Sequence, residues 1–279
     1  MLDAIEHLIS EWDNDHSLLE ADQLSQRLNI LDRLDAYTPI IDSQLSRRAE
    51  ALCARLEAAN SELYQSIRSE IQHGVWPPAF LHALQPSDSD QLPRGNGYDH
   101  LDELVSGVLQ LDEPDGEPSH TGPENVFYQP TPARHIFALI QAAAISASDV
   151  LIDLGSGLGH IPLVVSACTG AHTIGIELEP SFIASARQCA QRLNLGKVTF
   201  LEQDASSADF STGTIFYLYT PFTGSILQSV LSSLRKEATT RPIKICTFGP
   251  CTLAIAHEPW LIPTIGLETD QIALFSSHA

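Results

Sequence analysis

Three glycines in five residues, Gly155, Gly157 and Gly159 of "LIDLGSGLGH", follow an apolar run that reaches Asp153. Glycine tolerates positive φ and lets a ligand come close to the backbone, and a helix that begins there offers free N–H groups. Asp153, two residues before the first glycine, suits a ligand bearing an ammonium group and would repel a pyrophosphate. Two more carboxylates close the next apolar runs. Glu177 ends "TIGIE", 22 residues after Gly155, where an acid can accept from both hydroxyls of a ribose. Asp204 follows "FLEQ" and can accept from an adenine amino group, with the Ala205 N–H directed at a ring nitrogen. Together these spacings describe a nucleotide site at the carboxyl ends of consecutive strands. The dinucleotide pattern GxGxxG is not met, because His160 stands where its third glycine belongs. That disfavours an NAD-dependent oxidoreductase.

The elements that must hold these residues follow from periodicity. "VLIDL", "HTIGIEL", "KVTFLEQD", "TIFYLYT" and "IKICTF" read as strands, separated by helix-like stretches such as "EPSFIASARQCAQRLN" and "GSILQSVLSSLRKEA". Such βα alternation predicts a mostly parallel sheet with helices on both faces. The tail "LIPTIGLETDQIALFSS" has two strand candidates and no room for a crossover helix, so an antiparallel hairpin is expected to end the sheet. Ahead of the first strand, "PTPARHIFALIQAAAI" predicts a helix with Thr131 as N-cap and Pro132 as first residue.

The first 73 residues read as amphipathic helices, with Leu2, Ile5, Leu8, Ile9 and Trp12 on one face and Leu45, Ala49, Leu52, Leu56, Leu63 and Ile67 on another. Such faces must be covered, either by packing as a cap on the core or by pairing in a homodimer. Pro77 and Pro78 break the pattern, and a Pro/Gly/acid-rich stretch over residues 112–125 is expected as a linker or lid.

Composition narrows the partners. Of the net charge of −20, residues 1–120 carry −16, from 23 acids against 7 bases. No Lys/Arg run supplies the basic surface that sequence-independent nucleic-acid binding needs, so nucleic acid is a disfavoured partner and a basic protein or a cationic or neutral small molecule a favoured one. Five cysteines form no CxxC pair, no Cys/His/Asp/Glu cluster has metal-ligand spacing, and no apolar run is long enough to cross a membrane. The acidic N-terminus lacks a signal-peptide pattern. A reduced, cytoplasmic setting, no metal and no membrane are the expectations.

From about residue 126 onward the chain resembles the class I S-adenosylmethionine-dependent methyltransferases. "LIDLGSGLG" is similar to their glycine motif, "IGIELEP" to their acidic ribose motif, "EQDA" to their adenine motif and the terminal hairpin to their reversed last strand. The resemblance implies an α/β fold with a Rossmann-like, mostly parallel seven-stranded sheet behind an α-helical N-terminal region. It also implies a cap over residues 1–120 and a cofactor-binding domain over 121–279. S-adenosyl-L-methionine is the implied cofactor. Asp153 would hold its amino group, Gly155, Gly157 and Gly159 its methionine and ribose portions, Glu177 the ribose, and Asp204 with Ala205 the adenine.

The implied activity is methyl transfer to a protein side chain or a small molecule. A binding module without transfer activity is the alternative. Amino-directed relatives carry Asp/Asn-Pro-Pro-Tyr at the end of the fourth strand, and this chain has Tyr219-Thr220-Pro221-Phe222. Pro221 and Phe222 match, while the acid or amide is replaced. Tyr219, Thr220 and Phe222 are therefore acceptor-side candidates. "NVFYQPTPARHIFALI" is similar to a segment that crosses the cofactor pocket in non-SET histone-lysine methyltransferases, which places Tyr128, Gln129 and Thr131 over the methionine end. His135 and His160 lie near this pocket in sequence without a defined catalytic role.

Overall fold

Strands buried on both faces need apolar side chains pointing both ways, and the βα half of the chain supplies them. The computed structural model describes residues 2–75, 92–112, 114, 124, 126 and 128–278. Seven strands form one sheet: β1 Val150–Leu154, β2 His172–Glu177, β3 Val198–Glu202, β4 Ile215–Leu218, β5 Lys244–Thr247, β6 Leu261–Ile265 and β7 Ala273–Ser277. Their order is β3-β2-β1-β4-β5-β7-β6. The first five are parallel, and β7 runs antiparallel to both β5 and β6. The expected hairpin therefore inserts its second strand beside β5 and leaves β6, with Pro263, on the edge, where a missing N–H is tolerated.

Side chains alternate between two apolar layers. Ile152, Leu154, Phe216, Leu218 and Ile245 face one, and Leu151, Ile215, Tyr217 and Cys246 the other. Asp153 has the alternation of the second layer and is paired in register with Tyr217. After β1 the chain moves outward to β2 and β3, then returns across β1 to β4. The carboxyl ends of β1 and β4 thus flank the switch point, where open α/β sheets leave a crevice.

Helices α1 Leu2–Asn14, α2 Leu24–Tyr37 and the long α3 Ser43–Gln72 precede the sheet. Ile5, Ile9, Trp12, Ile30, Leu34, Leu52 and Leu56 form their shared core, so most of the apolar faces read from sequence pack within the chain, while Leu2 is exposed. Arg27 is fully buried there, donating from Nη1 to the Leu18 and Glu20 carbonyls and from Nε to Asn60. Further along, Ile67 and Ile71 of α3 join the sheet-facing core with α4 His100–Leu109 and α5 Ala133–Ala142. The apolar core is therefore continuous across the 120/121 division. The remaining helices are α6 His160–Thr169, α7 Pro180–Arg192, α8 Gly224–Ala238 and the short α9 Cys251–Ile255, which periodicity does not reveal. Gln72 Nε2 donates to the Arg192 carbonyl and Asn194 Nδ2 to the Gln72 carbonyl, tying α3 to the end of α7. Among the described residues, no helix is long and apolar enough to cross a membrane. The break at Pro77–Pro78 and most of residues 112–125 lie outside the described residues.

The start of α5 differs from expectation. Pro132 takes the N-cap position and the helix begins at Ala133. The Ala133 N–H donates to Asp102 Oδ1 at 2.7 Å, and the Thr131 hydroxyl is used elsewhere. A tertiary carboxylate has replaced the local cap. Asp102 Oδ2 also accepts the Asp99 N–H at 2.7 Å in the capping box of α4, so one side chain serves two helix ends. Asp102→Ala is expected to lower stability by about 1–2 kcal/mol, with little loss of helix content, in chemical denaturation followed by circular dichroism.

Candidate functional site

The turn from β1 into α6 places its glycines at φ of +79° (Gly155), +52° (Gly157) and +83° (Gly159). The N–H groups of Gly155 and Ser156 donate to the Ile176 carbonyl, which draws the loop against β2. A Cβ on Gly155 would stand 2.3 Å from Pro221 Cβ, and one on Gly157 only 1.9 Å from the ring of Tyr128. The bare backbone at Gly157 is thus covered by the protein's own aromatic ring. Gly159 faces Phe200 and Ala186 in the interior.

A cavity of about 320 Å³ opens at the carboxyl ends of β1 and β4. Asp153, Gly155, Glu177, Asp204 and Ala205 line it, as do Tyr128, Tyr219, Thr220 and Phe222. Gly157 and Gly159 support the loop from outside this lining. Sequence reasoning did not single out three further lining residues: Ser156, Phe182 and Gln203. Phe182 is in the first turn of α7 and packs against Tyr128 with ring centroids 5.0 Å apart. Its only sequence signal is an aromatic just after the acidic strand end.

Electrostatics distinguish this cavity. Four carboxylate residues, Asp153, Glu177, Glu179 and Asp204, line it, and no lysine or arginine is among the described lining residues. Asp153 is 4% exposed and makes no side-chain hydrogen bond among the described residues. Burial, and then the charge of Glu177, hold its carboxyl well above the usual range. Glu177 differs in its hydrogen bonds. Its Oε2 accepts the Gly157 N–H at 2.8 Å, and its Oε1 accepts the N–H groups of Leu178 and Glu179. Three of roughly four lone-pair positions of that carboxylate are filled, leaving one on the cavity side. Asp204 is exposed and accepts the Ser206 N–H at 2.7 Å, capping a short turn that carries the buried Ala205. Ser156 Oγ is buried without a partner among the described residues.

Two neutral groups close the glycine side. Tyr128 Oη lies 3.1 Å from His160 Nδ1. Burial lowers the His160 pKa to about 4 and raises that of the Tyr128 phenol, so both are uncharged at neutral pH. His135, by contrast, is fully buried outside the cavity lining, with Nε2 2.7 Å from the Gly95 carbonyl and its ring on Phe248.

On the β4 side, Tyr219 packs on Phe248 with centroids 4.7 Å apart. Thr220 has φ of +42°, a strained value for a β-branched residue. Its hydroxyl donates to the Phe248 carbonyl and accepts the Cys251 N–H, so it is engaged in holding this turn. Phe222 is buried in the first apolar layer, with Ile152, Leu154 and Phe216, while edging the cavity. The Pro221 carbonyl accepts the Val126 N–H at 3.1 Å. Thr131, expected to cap α5, instead pairs its hydroxyl with that of Tyr217 at 2.9 Å.

The raised pKa of Asp153 has a stability consequence. The folded protein binds that proton more tightly than the unfolded chain does. Ionising the buried carboxyl therefore destabilises the fold as pH rises from the unfolded range towards the folded pKa. Asp153→Asn is expected to raise Tm at pH 8, with a gain that shrinks as pH falls towards 4. A thermal unfolding series across pH checks this, and a lower Tm at pH 8 contradicts it.

Residues 145–238, about a third of the chain, match a family model described as a methyltransferase domain. The sterol 24-C-methyltransferase of Saccharomyces cerevisiae is 31% identical over 88 residues, covering 31% of this chain and 23% of that protein. The 23S rRNA (uracil(1939)-C(5))-methyltransferase of Shewanella woodyi is 30% identical over 132 residues, covering 44% of this chain and 28% of that protein. The chain thus spans about a quarter of the length of these curated relatives. An RNA methyltransferase from Salinibacter ruber, solved with S-adenosyl-L-homocysteine, aligns at 26% identity over 53% of this chain and 92% of that one, with a TM-score of 0.43. The Shewanella woodyi protein is named for rRNA, so the expectation that nucleic acid is disfavoured is not supported. The glycine loop, Glu177, Asp204 and the Tyr219–Phe222 turn all fall within the matched segment.

Proposed function

We propose that this protein is an S-adenosylmethionine-dependent methyltransferase and that the cavity at the switch point is its donor site. One observation carries the reading: a buried carboxylate, Asp153, without a hydrogen bond among the described residues, in a cavity lined by four carboxylate residues and no described lysine or arginine. An isolated buried carboxylate is costly unless a cation or donor meets it. A ligand with an ammonium group and a sulfonium fits that field, whereas the pyrophosphate of a dinucleotide is repelled by it.

The residues suit this donor piece by piece. Asp153 receives the ammonium group. The remaining acceptor position of Glu177 takes a ribose hydroxyl, while its other positions keep the glycine loop in place. Asp204 and the Ala205 N–H meet the adenine edge. Ser156 Oγ supplies a further buried donor or acceptor. When bound, S-adenosylmethionine supplies an activated methyl group, and the displacement then depends on alignment and exclusion of water. The protein achieves both with rings and backbone: Tyr128 and Phe182 on one side, Tyr219, Pro221 and Phe222 on the other. Histidine is not set up as a base here, because burial keeps His160 neutral beside Tyr128 and His135 lies outside the cavity lining. The acceptor accordingly arrives as a nucleophile needing no proton removal by histidine. The acidic field favours a protein side chain or a small molecule without anionic groups over a phosphate-rich acceptor.

Calorimetric titration tests the donor site. S-adenosylmethionine is expected to bind and NAD not to. Asp153→Asn should weaken binding by roughly tenfold or more, the size of one charge-assisted hydrogen bond. Wild-type affinity should fall as pH is lowered and Asp153 takes up its proton, and the variant should lose that dependence. Binding of NAD instead, or an unchanged affinity in Asp153→Asn, would sink the proposal.

A further inference from the structure

Val126 and Tyr128–Thr131 border the cavity and form a strap with Glu124, which makes most of the strap's described bonds to the loop on its far side. The Thr223 N–H donates to the Glu124 carbonyl at 2.9 Å. The Glu124 carboxylate accepts from Ser225 N–H at 3.1 Å, Ser225 Oγ–H at 2.8 Å and Ile226 N–H at 3.2 Å. Two residues on, the Val126 N–H donates to the Pro221 carbonyl. The first turn of α8 is built to admit this carboxylate. Gly224 has φ of +56°, and a Cβ there would stand 2.3 Å from Glu124 Oε1. Thr223 occupies the N-cap of α8 yet makes no capping hydrogen bond with its side chain. Glu124, about a hundred residues earlier in the chain, satisfies those orphan N–H groups instead. The Ser225 N–H first, then its hydroxyl, hold the Glu124 carboxyl below the usual range.

We propose that Glu124 is a positioning residue for the donor site, locking the strap that carries Tyr128, Gln129 and Thr131 to the loop that carries Tyr219 and Phe222. This rests on the donor-site reading above. Beyond Val126, the strap is also fixed by the Tyr128–His160 pair, the Thr131–Tyr217 pair and Tyr98 Oη, which donates to the Pro130 carbonyl at 3.1 Å. All three lie towards its α5 end, so Glu124 holds the opposite end. Both strap and loop line the cavity. Their separation sets its width, and loss of the lock leaves the bound nucleotide to order the strap at its own cost in affinity. The same contacts occupy the Pro221 carbonyl with Val126, so an acceptor that needs that carbonyl has to displace the strap.

A helix cap with no role in binding would make the same hydrogen bonds, and a pair of variants separates the two roles. Glu124→Ala removes both cap and lock. Glu124→Ala combined with Thr223→Asp restores a local cap to α8 without a carboxylate on the strap. Affinity for S-adenosyl-L-homocysteine is measured by calorimetry and Tm by thermal unfolding. The expected result is a lower Tm and about tenfold weaker binding in Glu124→Ala, with the double variant recovering Tm but not affinity. Recovery of both, or wild-type affinity in Glu124→Ala, would reduce Glu124 to a helix cap and overturn the proposal. Failure of the wild-type protein to bind the nucleotide would overturn the donor-site reading and this inference together. Binding by wild type, with both variants matching its affinity, would overturn this inference alone.

Discussion

A negative charge buried at the end of the central strand is the constraint around which this structure is arranged. Asp153 sits on β1, in register with Tyr217 on β4, where the sheet reverses direction. Any other strand position would put a carboxylate into one of the two apolar layers. At the switch point it borders a cavity, and its solvation is left to whatever enters. The second carboxylate at this end, Glu177, accepts three backbone N–H groups, and its charge adds to burial in raising the proton affinity of Asp153. One carboxylate is held by backbone N–H groups, and the other has no hydrogen bond among the described residues. In the proposed donor site that asymmetry would favour a cation.

The acidic composition has an internal use that bulk charge does not suggest. Three carboxylates satisfy backbone N–H groups that their own elements do not own: Asp102 at the start of α5, Glu177 at Gly157 in the glycine loop, and Glu124 at the start of α8. In two of the cases the partner is 31 and 102 residues away along the chain. Helix N-termini carry partial positive charge, so carboxylates suit these junctions. They also join the elements that surround the cavity. α4 is tied to α5, β2 to the glycine loop, and the strap to α8.

The cavity wall pairs this charge with aromatic bulk. Tyr128 lies on Gly157, Phe182 on Tyr128, and Tyr219 on Phe248. These contacts work only because Gly157 has no side chain and because Thr220 accepts a left-handed backbone to turn the chain after Tyr219. Strain at that turn is offset by two hydrogen bonds of its own hydroxyl, to the Phe248 carbonyl and the Cys251 N–H. The N-terminal helices stand behind this arrangement, on the face of α5, α6 and α7, with no described residue before Val126 in the cavity lining.

Much of this was legible in the chain itself. The alternation of apolar runs fixes parallel strands and the terminal hairpin, because a parallel strand needs a crossover and the tail has no room for one. The glycine spacing and the acids at three strand ends locate the cavity, because strand ends are where side chains meet a ligand at the edge of a sheet. Other features depend on residues far apart in sequence and leave no local pattern. Thr131 has the local form of an N-cap, yet Asp102 caps α5 and Thr131 turns to Tyr217. Glu124 sits in an acid-rich stretch like any other, and its role exists only because β4 and α8 bring Thr223–Ile226 beneath it. Periodicity and spacing determined which elements form and which residues stand at their ends. Only the tertiary structure decided which carboxylate is satisfied by the backbone and which is buried without a hydrogen bond among the described residues, because hydrogen bonds and burial are properties of neighbours in space.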